Sequence, residues 1–176
     1  MNWESEFKST FDRAVAAWSA GRRNPINLLE KRDQEFLASI GCTPQELFDF
    51  VDDLQVYGEP DYETTLAITR IRREYFLNVM GGKPSSTLAK MSDLPSKSAQ
   101  IDGIPWLLRL ISKARLKLKG EMPADLMYGC GGDRPFVRQM KTDLPAFLKL
   151  VWDSGADDRR IVDTVKRQAG LQFTKK

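Results

Sequence analysis

Residues 104–120, IPWLLRLISKARLKLKG, decide the fold class. Leu107, Leu110, Ile111, Ala114 and Leu118 recur at spacings of three and four, which lays them along one side of a 3.6-residue helix. Arg109, Lys113, Arg115, Lys117 and Lys119 fall among them, and Gly120 ends the run as a glycine past a helix C-terminus does. The pattern predicts a helix over 104–119.

The same punctuation recurs on both sides of this segment. Upstream, Phe7, Phe11, Ala14, Val15 and Trp18 share a helical stripe that stops at Gly21, and Asn24-Pro25 reads as an N-cap followed by a first-turn proline. A short helix is expected from Asp33 to Ile40. Thr43-Pro44-Gln45-Glu46 is a capping box opening a helix to Tyr57. Gly58 stops it, and Pro60-Asp61 begins another that reaches Val79. Downstream, helices are expected from Asp133 to Met140, Asp143 to Trp152 and Asp157 to Gln168. Sustained two-residue alternation is missing, so the chain reads as an all-α, compact helical bundle.

Residues 81–100, GGKPSSTLAKMSDLPSKSAQ, break the periodicity with Gly, Pro, Ser and Lys. They read as a linker or crossing segment between an N-terminal helical half, 1–80, and a C-terminal one, 101–176, the two forming one globular unit. The halves match in order. Gly21, Pro25 and Leu28-Leu29 answer Gly120, Pro123 and Leu126-Met127. Asp33, Phe36, Phe50, Val51 and Asp53 answer Asp133, Phe136, Leu150, Val151 and Asp153 at an offset of 100. An internal duplication is expected on that basis.

Composition narrows the chemistry. The 176 residues contain no histidine, which removes the commonest general base, metal ligand and triad partner together. Cys42 and Cys130 lack any disulfide or metal spacing, so neither a metal nor a cofactor is expected. No apolar run is long enough to span a bilayer, and the polar N-terminus is no secretory signal, so a cytoplasmic protein without a membrane partner is expected. The net charge of +3 conceals −4 over residues 1–83 and +7 over residues 84–176.

The loop DLMYGCGGDRPF, 125–136, holds the densest cluster of chemical side chains. Its glycines permit positive φ and close backbone approach, but it lacks phosphate-loop spacing, and Asp133 reads as the cap of the helix that follows. Cys130, near Arg134, is open to three readings: a redox-sensitive thiol, a small-molecule adduct site or a buried structural cysteine. Lys113 and Lys117 lie beside Trp106 on the basic helix, a pairing of charge and ring that nucleotides and nucleic acids use, but also one that snorkelling lysines produce. Arg72 falls on the apolar face of ITRIRREYFLNV, residues 68–79, where it needs a carboxylate such as Asp133 or a bound anion. Asp49, Asp52 and Asp53 read as a solvated acidic face.

Gly103, Trp106 to Leu107, Arg109 to Ile111, Lys113 to Arg115, Leu118 and Gly120, followed by Tyr128, Cys130 and Asp133, form a further pattern. Over residues 93–170 this resembles an uncharacterised bacterial domain-of-unknown-function family, number 5069. The first half resembles an extended form of it. Gly131-Gly132 stand where many members have a proline after the cysteine. The resemblance implies a fold and no activity. Together these readings point to a small-ligand or partner-binding module with no assignable reaction. Its expected site residues are Arg72, Lys113, Arg115, Tyr128, Cys130, Asp133 and Arg134. The alternatives are a histidine-free enzyme or redox protein using Cys130, and nucleic-acid or nucleotide binding through the helix at 104–119.

Overall fold

The computed structural model describes residues 2–171. The chain divides into two compact units, Met1–Ser85 and Ser86–Lys176.

In the first unit α1 (Trp3–Ser19) is started by Asn2, whose side chain accepts the Glu4 N–H at 3.2 Å. It is followed by α2 (Pro25–Leu28), α3 (Lys31–Ser39), α4 (Pro44–Tyr57) and α5 (Tyr62–Asn78). The capping box at α4 is reciprocal: Thr43 Oγ1 accepts from Glu46 N at 3.2 Å, and Glu46 Oε2 accepts from Thr43 N at 2.8 Å. α1 and α2 both pack on α4. Phe7, Phe11, Leu28, Leu37, Leu47 and Val51 form the core between them, and Tyr62 stands edge-on to Phe11 with ring centroids 5.1 Å apart. Burial of each large apolar side chain contributes roughly 1.5–3 kcal/mol.

The second unit begins inside the segment expected to be a linker. Ala89 N donates to the Glu121 carbonyl at 3.0 Å, and Arg109 Nη1 donates to the Pro95 carbonyl at 2.6 Å. These bonds lay residues 86–100 against the helix that follows. β1 (Gln100–Ile101) pairs antiparallel with β2 (Ile104–Pro105). That pairing shortens the expected helix. α6 (Leu107–Lys119) starts three residues after Ile104, because Ile104 and Pro105 are in the strand pair and Trp106 turns the chain with φ at 68°. α7 (Asp133–Gln139), α8 (Leu144–Ser154) and α9 (Asp158–Ala169) complete the unit. α8 packs on α6, α7 and α9. Leu107, Leu110, Ile111, Ala114, Phe147, Leu148, Val151, Ile161 and Val165 are almost wholly buried among them. Among the described residues the only strands are these two of two residues each, so the protein is mainly helical. No helix among them is long and apolar enough to cross a membrane.

Candidate functional site

The chemistry of the second unit converges on Asp133. An aspartate at the head of a helix ordinarily caps it, and the sequence suggests that role here. The structure assigns it another: Gly132 occupies the cap position and no side chain caps α7. The carboxylate, fully buried, turns inward instead. It accepts from Trp106 Nε1 at 3.0 Å, from Gly129 N at 2.8 Å and from the ammonium of Lys113. A charge taken out of water costs several kcal/mol unless paired and hydrogen-bonded, and three donors meet that requirement.

Lys113 is itself only 2 % exposed. Besides Asp133 it reaches Cys130, with Nζ 3.2 Å from Sγ. An ammonium carries three donors, so one lysine serves both groups. Cys130 is half-buried and Cys42 is buried in the other unit. Two glycines make the loop possible. Gly129 has φ at 92°, a conformation side-chain-bearing residues rarely adopt, and this aims its N–H at Asp133. A Cβ at Gly132 would come within 2.5 Å of the Trp106 ring, so glycine lets that ring approach the loop closely enough for its N–H to reach Asp133.

The other expected site residues are dispersed. Tyr128 is core: it is 1 % exposed and donates to the Leu144 carbonyl at 2.7 Å. Burial, and then the Asp133 and Asp143 carboxylates, push its hydroxyl well above the ordinary tyrosine value, so it stays neutral. Arg134 Nη1 donates to the Gly129 carbonyl at 2.9 Å, bracing the loop from beneath. Arg115 lies on another face, bound to the Gly155 carbonyl at 2.8 Å and to Asp158 at 2.5 Å. Arg72 belongs to the first unit. It is 2 % exposed, stacked 5.4 Å from the Phe76 ring centroid, with Nη1 3.7 Å from Met80 Sδ. The expectation that a carboxylate neutralises it is not met: Asp133 is occupied as described, and no carboxylate among the described residues pairs with it.

Four of the five basic side chains of α6 are engaged within the protein, and Lys119 is exposed. Arg109 holds Pro95, Lys113 holds Asp133, Arg115 holds Asp158, and Lys117 is 3 % exposed with partners of its own. Among the described residues no cluster of three metal-ligating side chains occurs. Trp106 and Gly129 are the site members absent from the expected set. The tryptophan's contact crosses 27 residues, and no helical or strand period links positions so far apart.

No curated protein and no solved structure matches the chain. Residues 91–176 match the family model described as Domain of unknown function (DUF5069), and the second unit of this chain belongs to that family.

Proposed function

We propose that the second unit is a small-ligand binding module whose binding group is the thiol of Cys130. The observation that carries this reading is the 3.2 Å contact between Lys113 Nζ and Cys130 Sγ, on a sulfur that is half-buried rather than sealed in the core. The ammonium donates to the sulfur and so faces the negative charge that develops there as the thiol reacts. Lys113 is held in place by Asp133, and Asp133 by Trp106 and Gly129, so the donor is positioned before any ligand arrives. With no histidine in the chain, the thiol proton leaves to solvent and not to a neighbouring imidazole, and the Lys113 ammonium faces the sulfur without acting as a base. Sγ then forms a bond to an electrophilic centre of the ligand, and the electron pair of the broken bond departs with the leaving group. The ligand class is a small soft electrophile.

Alkylation kinetics test this. In a Cys42→Ser background, Cys130 should react with iodoacetamide at neutral pH about tenfold faster than glutathione does. Replacing Lys113 by Met together with Asp133 by Asn removes both charges at once, avoiding a stranded buried ion. That double variant should lose the advantage. A wild-type rate equal to that of glutathione overturns the reading.

A further inference from the structure

The two units repeat the same local geometry at an offset of 100 residues. Arg13 binds Asp33 at 2.6 Å, as Lys113 binds Asp133. Asp33 N and Gln34 N both donate to the Glu30 carbonyl, at 3.0 and 3.1 Å. Asp133 N and Arg134 N both donate to the Cys130 carbonyl, at 2.9 and 3.2 Å. α3 ends with Gly41 N on Ala38 O and Cys42 N on Leu37 O. α7 ends with Lys141 N on Arg138 O and Thr142 N on Val137 O. Gly41 and Lys141 both have positive φ, at 78° and 54°. Thr43 then caps α4 and Asp143 caps α8. Phe7, Phe11, Ala14 and Val51 are buried, as are Leu107, Ile111, Ala114 and Val151. Helix punctuation explains one or two such coincidences. It does not explain a shared ion pair, shared turn bonds and shared burial all at the same offset of 100.

The differences then fall on the site. Glu30 stands where the second unit has Cys130, and Ala17 where it has the buried Lys117. Four side-chain atoms beyond Cβ are missing at position 17, and a cavity of about 250 Å³ lies there. Ala17 and Leu28 form its apolar wall, and Arg13, Asp33, Arg22 and Glu30 supply its charges. Arg13 and Asp33 neutralise each other, with Glu6 and Thr10 also on the guanidinium. That leaves exposed Arg22 and Glu30, neither in an ion pair among the described residues. One free cation, one free anion and a short apolar wall match a small ligand that carries both an ammonium and a carboxylate beside a hydrocarbon part.

We infer that the first unit is a second copy of the DUF5069 domain in which the thiol site has become a pocket for a small aliphatic amino acid. The ligand's ammonium faces Glu30, its carboxylate faces Arg22, and its hydrocarbon lies on Ala17 and Leu28. This is independent of the thiol reading, since the first unit has no cysteine at the equivalent position.

The test is a methyl NMR titration of the full chain with valine and 4-aminobutanoate, observing the Leu28 methyls, which line the same cavity and remain in every variant. Saturable millimolar shifts are expected with at least one of the two. Butylamine and butanoate, each lacking one charge, should bind about fivefold more weakly, the loss expected for one exposed ion pair. Ala17→Lys, which restores the second unit's residue and fills the cavity, should abolish the response. Arg22→Gln and Glu30→Gln alter exposed side chains that the fold does not need, and each should weaken binding by a similar factor. No saturable shift with either amino acid, equal binding of the single-charge probes, or shifts unchanged by the Arg22 and Glu30 variants would each overturn the inference.

Discussion

Tyr128 illustrates how a residue's chemistry is set by where it lies. In sequence it stands two positions before a cysteine and five before an aspartate, and reads as part of a site. In the fold its ring is buried and its hydroxyl is bound to the Leu144 carbonyl. Tyr128→Phe removes this hydrogen bond from the core, so unfolding free energy in urea should fall by about 0.5–1.5 kcal/mol. The pH dependence has a definite sign. Burial raises the folded-state value above that of the unfolded chain, so the unfolded chain loses its proton first. Stability from this group is therefore complete below about pH 10 and is lost as pH rises beyond it. The alkaline fall in urea midpoint should be shallower in Tyr128→Phe than in the wild type.

At the scale of elements, most boundaries were legible because they are local. Thr43, Asp61 and Asp143 each cap the helix that follows, and capping depends on residues within three positions. Asp61 accepts from Thr64 N at 2.8 Å. Bonds from the Thr64 side chain and backbone hold its carboxyl below the ordinary aspartate value. That contribution is present above the unfolded value near 4 and is lost as pH falls through the folded one. Asp61→Asn should retain most of the cap at neutral pH, whereas Asp61→Ala should cost about 1 kcal/mol. Urea titrations at pH 3 and pH 7 should show the Asn variant losing less on acidification than the wild type. The start of α6 was not legible in this way. Leu107 continues the period back through Ile104, but Ile104 pairs with Ile101 across a turn and Trp106 takes a positive φ, so the helix begins later. A β-bridge is a contact between segments, and helical periodicity carries no trace of it.

At the scale of the whole molecule, the proposed correspondence of Val51 with Val151 would carry the offset of 100 into α4 and α8. Both are at most 1 % exposed. Val51→Ala and Val151→Ala should each cost about 2 kcal/mol, from lost transfer energy and a small cavity. Similar values, read from chemical unfolding of each variant, would fit equivalent core positions, whereas a cost near zero at either would oppose equivalence. The sequence by itself determined the helical class, the capped starts and the buried stripes. All of these follow from period, glycine and proline placement, or side-chain-to-backbone bonds within a turn. Tertiary structure alone decided that Asp133 leaves its expected cap to bind Lys113, that Lys113 reaches Cys130, and that Arg115 and Tyr128 belong elsewhere. It alone decided that Ala17 borders a cavity. The physical reason is that a buried charge takes whatever donor the packing brings to it, and packing joins residues by distance in space rather than by spacing along the chain.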